Sequence, residues 1–272
     1  GSAPAMLEKA KRAGDLLVYA WFSNDKDKSR IEARNRYADS LVDAIKPESR
    51  ERKTIEELRF ASRPLAPFHW QLEFPEVFND GGFSVFVGNP PFAGTNTTIS
   101  GSVPRYLDYL TALLVPAASG KCDLVGYFLV RTFSLLSGGT PGCVAGTMNM
   151  IATKTIRQGQ TREASLARIV SDGGIIYSAN RRLGWPGKAA VVIATVAIVK
   201  GFDIKMKMLD GKNVSNISSF LIEAEVESTP AKLKSNAAKS FEGSKIYGGG
   251  FIFEDGSPAS TPISVMEIGR AS

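Results

Sequence analysis

Histidine and cysteine are the scarcest of the chemically useful side chains in this sequence of 272 residues. There is one histidine, His69, and there are two cysteines, Cys122 and Cys143. A single histidine leaves little room for a histidine-based metal centre or catalytic triad. Neither cysteine lies near a second cysteine or a histidine pair, so we expect small buried thiols in a reducing, cytoplasmic compartment rather than a zinc site. His69, which lies between two aromatic residues, is expected to be structural.

Long hydrophobic runs are also lacking. The longest, 189–199, has the length of a strand and falls short of the roughly 18–20 apolar residues that a membrane helix needs. No secretory signal is recognisable, so we expect neither a membrane span nor export. Glu73, Glu76 and Asp80 surround Pro75 without further ligands nearby, and no metal is expected.

The net charge of +6 is compatible with a polyanionic partner such as nucleic acid, but it does not by itself establish one. Basic residues gather in three segments, at 26–36, 154–162 and 180–188. Basic segments of this kind are also common on surfaces that simply remain solvated. Charge alone therefore leaves both interpretations open.

The order of the predicted elements indicates an α/β fold. Residues 7–62 have apolar residues at helical spacing and predict helices that precede a sheet. From 83 to 201, apolar strands alternate with helices that end at glycine pairs, which predicts a mostly parallel, Rossmann-like sheet ending in an antiparallel hairpin. The proline-spaced stretch 64–78 is expected to be extended. Three parts are predicted: a helical segment at 1–63, the sheet domain at 64–201, and the start of a further module at 202–272.

The stretch 83–94, FSVFVGNPPFAG, places polar and rigid residues directly after an apolar strand. In parallel α/β sheets, ligands bind outside the carboxyl ends of the strands. The side-chain carbonyl of Asn89 and the backbone carbonyl of Pro90 are two acceptors that suit an exocyclic amino group. Pro90 and Pro91 fix φ and lack N–H groups, so the turn is stiff. Phe92 offers a flat apolar face on which a base can stack, worth roughly 1–3 kcal/mol.

Asn and Pro are common turn residues, so this segment can also serve only to end a strand. In its context, however, VGNPPF resembles motif IV of the amino-group DNA methyltransferases, in which Asn, Asp or Ser precedes Pro-Pro and Tyr or Phe. The longer stretch 68–94 is similar to the adenine-N6 methyltransferase region of large, type IIG-like restriction–modification enzymes. Less specific similarities extend the resemblance to roughly residues 64–255.

The resemblance implies that an adenine is flipped out of double-stranded DNA. Asn89 and the Pro90 carbonyl would grip its N6 amino group, Pro91 would stiffen the turn and Phe92 would stack on the ring. N6 would then attack the methyl group of S-adenosylmethionine in line, without a covalent enzyme intermediate, a metal or a histidine base.

The resemblance also implies secondary contacts. Gly88, beside the motif, is a candidate for cofactor binding, as are Tyr127 and Phe128 in the helix that is placed like motif V. The basic residues that follow or bridge the predicted strands are candidates for phosphate contacts at the rim of the site. These candidates are Lys154, Arg157, Arg162, Arg181, Arg182 and Lys188.

One part of the family pattern is missing. Such enzymes carry a glycine-rich cofactor motif after a first strand, upstream of Asn-Pro-Pro-Phe, and none occurs before residue 83. We therefore expect this chain to be the later part of a methyltransferase domain, which alone binds S-adenosylmethionine poorly and is inactive. The sheet edge where the earlier strands belong is expected to be exposed and to favour self-association.

Two alternatives stay open. Methyltransferases of the same fold act on protein glutamine or on RNA, and they too carry Asn-Pro-Pro-aromatic motifs. The helices before the sheet and the extension after the hairpin favour a large DNA enzyme over these. The chain can also be a non-catalytic DNA-binding or assembly module, which the missing cofactor motif favours.

Overall fold

The computed structural model describes seven stretches of the chain and three isolated residues. These are 3–22, 26–39, 65–94, 104–114, 122–139, 144–185 and 191–225, with Lys53, Glu56 and Glu227. The chain divides into two compact units, Gly1–Glu227 and Ser228–Ser272, and every described residue lies in the first. The predicted boundaries at 63/64 and 201/202 stay predictions.

Two helices begin the described part of the chain, as the helical spacing predicts. Helix α1 spans Ala3–Phe22 and helix α2 spans Asp27–Asp39. They bury a small shared core of Leu16, Ala20, Ala33 and Tyr37. Of the last part of the predicted helical stretch, residues 40–62, only Lys53 and Glu56 are described, and both are helical.

The expectation of an extended stretch at 64–78 is wrong. It contains two short helices, α3 (Trp70–Glu73) and α4 (Pro75–Asn79). Pro75 occupies the first turn of α4, where its missing N–H costs nothing, so the proline that was expected to break a helix begins one. Aromatic contacts fix this segment against the following strand. The rings in contact are Phe68, Trp70, Phe74, Phe78, Phe83 and Phe86.

Helix α1 is tied to this aromatic segment by two polar contacts. The His69 ring is 3.0 Å from Asp15 Oδ1, and Lys11 Nζ lies 2.8 Å from Glu73 Oε1. The predicted structural role of His69 is confirmed, because the ring is largely buried and lies where any side chain on Gly14 would collide with it.

A six-stranded sheet forms the centre of the described unit. Its strands are β1 (Val85–Gly88), β2 (Thr147–Thr153), β3 (Gly174–Gly184), β4 (Val192–Lys200), β5 (Lys207–Leu209) and β6 (Lys212–Val214), in the order β1-β2-β4-β3-β5-β6. Strand β1 is parallel to β2 and β3 is parallel to β5, whereas β4 is antiparallel to both of its neighbours. Four of the six strands, β1, β2, β3 and β5, therefore share one direction, and the predicted α/β sheet with an antiparallel hairpin is confirmed.

Strand β4 is inserted between β2 and β3 and is the most buried strand. Six of its nine residues, Ile193, Ala194, Val196, Ala197, Ile198 and Val199, are buried. Side chains on both of its faces are covered, which explains its nearly continuous apolar sequence. In β2, by contrast, burial alternates, with Met148, Met150 and Ala152 on the buried face.

Helices cover the sheet between its strands. They are α5 (Tyr106–Leu114), α6 (Leu124–Leu135), a 3₁₀ helix (Lys154–Arg157), and the run 159–171, which comprises α7 (Gly159–Arg162), a π-helical turn (Glu163–Ala167) and α8 (Arg168–Ser171). Helix α6 ends three residues before the glycine pair 138–139, because the backbone of Leu135 and Ser137 bonds to Phe83 instead. Within the described residues, no helix is long and apolar enough to cross a membrane.

Candidate active site at the carboxyl edge of the sheet

The Asn-Pro-Pro-Phe segment begins where β1 ends. Gly88 pairs with Met150 of β2, and a Cβ at Gly88 would lie only 3.1 Å from Met150 Sδ, so a small residue lets the two strands approach closely. After it, Asn89 is exposed and Pro90 is buried. The proline therefore anchors the turn while the amide side chain remains accessible. Within the described part of the chain the Asn89 amide has no hydrogen-bond partner, so its carbonyl is available to a ligand.

A pocket of about 510 Å³ opens beside this segment. It is lined by 92–94 after β1, by Asp123 and Val125 at the start of α6, by 153–155 at the end of β2, and by 191–192 at the start of β4. Its volume falls in the range of small-molecule sites, roughly 300–1,000 Å³. Asn89 and Pro90 stand just before the first lining residue in the chain and do not line the pocket themselves.

The Phe92 ring is the aromatic member of the pocket lining. It is 39% exposed, so part of its surface is open to a ligand and part is packed. Directly after it, the carbonyl of Ala93 accepts a 2.8 Å hydrogen bond from the backbone N–H of Leu124. This bond fastens the segment to the first turn of α6. The aromatic face is therefore held on a secured turn rather than on a free loop.

Asp123 connects the polar residues of the pocket through hydrogen bonds. Its Oδ2 accepts a 2.9 Å hydrogen bond from the Thr155 hydroxyl, and its backbone N–H donates to Thr161 Oγ1 at 3.1 Å. The hydroxyls of Thr153 and Thr155 lie 2.6 Å apart. Because the Thr155 proton is committed to Asp123, Thr153 is the donor in that pair. The carboxylate is thus oriented by a chain of hydroxyls, with Lys154 also in the lining.

Cys122, next to Asp123, is not a nucleophile. Burial, and after it the neighbouring Asp123 carboxylate, raise the pKa of its thiol to about 12. The reactive thiolate is therefore scarce at neutral pH. The prediction of a small buried residue is confirmed for Cys122, whereas Cys143 lies outside the described residues.

The two aromatic candidates for cofactor binding differ sharply in position. Tyr127 is buried in a cluster with Leu110 and Cys122, and its hydroxyl is 3.0 Å from Thr111 Oγ1. Burial raises the pKa of its phenol. This position is that of a core residue and conflicts with the predicted contact to a cofactor. Phe128 is exposed on α6 but does not line either of the two pockets described here.

The predicted basic surface is divided by the structure. Lys154 is exposed and lines the first pocket, whereas Arg162 is only 3% exposed. The burial of Arg162 conflicts with the predicted DNA contact, because its guanidinium is occupied inside the protein by Ser219, at 2.7 Å, and by the ring of Phe220. Lys188 lies outside the described residues.

The remaining arginines come together at a second pocket on the same edge of the sheet. Arg157, Arg181 and Arg182 line a cavity of about 440 Å³ with Asn180, Leu183 and Asp210. We call it the arginine pocket. The Asp210 carboxyl has a pKa below its usual value: desolvation would raise it, but hydrogen bonds from the backbone and side chain of Arg181 lower it by more.

Several residues of these sites are not singled out by the sequence motifs. They are Asp123, Thr153 and Thr155 of the first pocket and Asn180 and Asp210 of the second. A usable signal exists for the threonines, because Thr153 ends an apolar strand at the edge where ligands bind. Asp210 has no such signal, because its partner Arg181 is distant in the chain.

The described residues also include no group of three or more histidine, cysteine, aspartate or glutamate side chains that could hold a metal ion.

The sheet order and the Asn-Pro-Pro-Phe segment at a strand end define an α/β methyltransferase-like domain. The sequence profile of the family described as "Eco57I restriction-modification methylase" matches residues 16–172. This match spans more than half of the 272 residues, and the chain belongs to this family. The match includes part of α1, so the family region begins before the sheet.

Two solved structures resemble the chain at low identity. The first is the type IIL restriction-modification enzyme MmeI in complex with DNA, with 19% identity and a TM-score of 0.47 over 61% of this chain and 24% of that one. The second is the modification subunit of a putative type I restriction enzyme from Vibrio vulnificus YJ016, with 10% identity and a TM-score of 0.35 over 53% of this chain and 29% of that one. The chain thus spans about a quarter of the length of these structures. No curated protein matches it.

Proposed function

We propose that the chain is the substrate-gripping part of a DNA methyltransferase that modifies adenine N6 in a restriction–modification system. The observation that carries the proposal is the secured Asn-Pro-Pro-Phe turn, which places an accessible amide beside a pocket with an aromatic wall. Membership of a restriction-modification methylase family supports the same conclusion.

The amino group of a flipped adenine would be held by two acceptors, the Asn89 side-chain carbonyl and the Pro90 backbone carbonyl. Both N–H bonds of the amino group are then engaged, and its lone pair is turned away from the ring plane. Asn89 is exposed and without a partner among the described residues, so it needs no rearrangement to accept. The preformed geometry is the main source of rate enhancement in such a mechanism.

The purine ring would enter the pocket against Phe92, where base–aromatic stacking contributes roughly 1–3 kcal/mol. The same pocket lining includes Asp123, whose Oδ2 accepts a hydrogen bond from Thr155. Because the carboxylate is fixed in place, it can accept a further hydrogen bond from a donor on the bound nucleotide. Lys154, in the same lining, can balance the charge or approach the phosphate of that nucleotide.

S-adenosylmethionine is the proposed donor of the methyl group. The described residues do not form a cradle for it: Tyr127 is buried in the core, and Phe128 lines neither of the two pockets. Gly88 packs against Met150 and remains a candidate neighbour of the donor through its position next to Asn89. We propose that this chain alone binds the methyl donor poorly and is inactive.

The open edge of β1 supports a second part of the proposal. Within the described residues β1 pairs only with β2. Val85 and Val87, on one face of β1, are 61% and 79% exposed. A strand with an unpaired edge and an apolar face tends to pair with another strand. We propose that a second copy of the chain pairs here when no other strand does.

No contact in the described part of the structure favours either alternative. Action on protein glutamine or on RNA would use the same turn, but a restriction-modification family favours DNA. A non-catalytic module would not need an accessible Asn89 beside an aromatic pocket.

The decisive experiment measures methyl transfer to duplex DNA by the full-length enzyme. Asn89→Ala removes the side-chain acceptor and is expected to abolish transfer while the affinity for S-adenosylmethionine stays within a few-fold. Asn213→Ala is the matched control, because Asn213 is an exposed asparagine on β6. It should retain full activity. Retained transfer by Asn89→Ala would refute the assignment of Asn89.

Specificity and the donor are tested separately. The methylated product is hydrolysed to nucleosides, and N6-methyladenine is expected; a modified cytosine would contradict the adenine assignment. Calorimetry with the 272-residue chain should show no tight binding of S-adenosylmethionine. Tight binding by this chain would contradict the proposal that it carries only the substrate-gripping part.

A further inference from the structure

The arginine pocket lies next to the proposed adenine pocket, and the 3₁₀ helix Lys154–Arg157 connects them. Lys154 at the start of this helix lines the adenine pocket, and Arg157 at its end lines the arginine pocket. Residues i and i+3 of a 3₁₀ helix lie above one another, about 6 Å apart along the axis. The 3₁₀ helix thus places the cationic side chain of Lys154 at the adenine pocket and that of Arg157 at the arginine pocket.

The charge of the arginine pocket suits an anion. Three guanidinium groups, of Arg157, Arg181 and Arg182, face one carboxylate, that of Asp210. The lining therefore has an excess of two positive charges. Guanidinium groups are planar multiple donors and match the oxygen atoms of a phosphate group especially well.

Asp210 binds only one of the three arginines. Its Oδ1 accepts the backbone N–H of Arg181 at 2.8 Å, and its Oδ2 accepts Arg181 Nε–H at 2.6 Å. The carboxylate thereby fixes Arg181 as part of the wall. Within the described residues neither Arg157 nor Arg182 forms an ion pair at salt-bridge distance, although the charge of Arg157 also helps to lower the pKa of Asp210. The lining therefore keeps a net positive charge for a ligand.

Arg157 carries a second observation that supports an anion in this pocket. Its Nε atom is buried and has no hydrogen-bond partner among the described residues. Buried polar groups in folded proteins are nearly always hydrogen-bonded, and a charged donor without a partner is costly. An anion bound in the pocket that Arg157 lines would offset this cost through the charge of the same guanidinium group.

We propose that the arginine pocket binds one backbone phosphate of the DNA duplex, through Arg157 and Arg182. This rests on the proposed function, because the same edge of the sheet carries the adenine pocket. Phosphate contacts fix the register of a protein on the duplex, whereas base contacts read the sequence. The arginine pocket would hold the strand beside the flipped nucleotide and set the position of adenine against Asn89.

The proposal is tested by equilibrium binding of the full-length protein to duplex DNA over a range of salt concentrations. Arg157→Gln should weaken binding about tenfold for target and non-target duplexes alike, and should reduce the slope of log K against log salt by about 0.9, the value for one phosphate contact. Arg182→Gln should act in the same way. An unchanged slope for both variants would overturn the proposal.

Arg168→Gln is the matched control. Arg168 is an exposed arginine in an ion pair with Asp172, shortly before the start of β3, whereas the arginine pocket lies towards the end of that strand. It removes the same charge at the opposite edge of the sheet. It should leave both the affinity and the salt slope unchanged, and an equal loss here would overturn the proposal by showing that only the total charge matters.

Single neutral methylphosphonate groups in the duplex locate the contact. At one position the substitution should weaken binding by the wild type but should weaken Arg157→Gln no further. If every position costs both proteins equally, no single phosphate is bound and the proposal fails. Methyl transfer is measured on the same duplexes. If methyl transfer occurs but no methylphosphonate position has an effect that Arg157→Gln removes, the phosphate site is refuted and the proposed function stands. If such a position is found but no methyl group is transferred, the proposed function is refuted and the phosphate site stands.

Discussion

Replacing Arg162 by methionine tests whether this arginine is a structural clamp. Its guanidinium donates to Ser219 Oγ at 2.7 Å, lies 3.8 Å from the centre of the Phe220 ring, and is 3.5 and 3.8 Å from the carboxylates of Glu163 and Glu227. These contacts join the helical run 159–171 to the segment after β6. Methionine keeps the length of the side chain but removes the charge and all donors.

The expected cost follows from these contacts. A hydrogen bond from a charged donor contributes about 1.5–3 kcal/mol, and a desolvated cation–π contact contributes up to about 2 kcal/mol. Two terms offset this sum. Arg162 Nε is buried without a partner among the described residues, and methionine removes that penalty. Glu163 and Glu227 are partly exposed and can be solvated after the change. We expect Arg162→Met to lower the free energy of unfolding by about 2–3 kcal/mol.

Urea denaturation of the chain measures this difference, as a midpoint lower by about 1 M at an unchanged slope. Arg168→Met is the control, because the exposed Arg168–Asp172 pair is worth only about 0.3–0.5 kcal/mol. An Arg162→Met variant that is as stable as the control would refute the clamp. So would a loss of one phosphate contact in the salt dependence of DNA binding, which a buried structural arginine should not produce.

Three further predictions concern the rest of the chain. Gly201→Ala should lower the free energy of unfolding by more than about 2 kcal/mol, because Gly201 has φ +76° and a Cβ there would overlap the carbonyl of Gly138. Gly211 has φ +78° with open space around it, so Gly211→Ala should lower the free energy of unfolding by only about 1 kcal/mol, the cost of the backbone conformation. Equal losses in the two variants would contradict the close contact at Gly201. In a Cys143→Ser background, Cys122 should resist thiol reagents at pH 8 until the chain is unfolded in urea, because the pKa of its buried thiol is about 12; rapid labelling of the native protein would show that it is accessible. Val87→Lys should shift the chain towards monomer in analytical ultracentrifugation, because a charge on an open strand edge opposes pairing, and a wild type that stays monomeric at high concentration would rule out self-association at this edge.

Local patterns in the sequence were sufficient for most elements of the described fold. The strand before Asn89 is short and apolar, the helices have regular apolar spacing, and β4 is apolar almost throughout, as a strand covered on both faces must be. The prediction of an extended conformation for 64–78 was wrong because proline was taken as a helix breaker. Pro75 occupies the first turn of α4, where proline is tolerated.

The candidate site was only partly predictable. Asn89 to Phe92 are contiguous, so their chemistry can be inferred from the order of residues alone. The second wall of the pocket comes from Asp123 and Thr155, which are far apart in the chain and meet only because α6 and β2 pack together. Tyr127 and Arg162 are residue types that suit a ligand or DNA, yet the structure buries both side chains, which their local sequence does not indicate.

By itself, the sequence determined the α/β class and the strand that leads into Asn-Pro-Pro-Phe, since both depend on residues adjacent in the chain. The tertiary structure decided three other matters: that β4 enters between β2 and β3, that four separate segments line one pocket, and that Arg157 and Arg181 line a second pocket while Arg162 is buried. The physical reason is that pairing and burial are set by contacts between distant segments, which charge and local spacing do not encode.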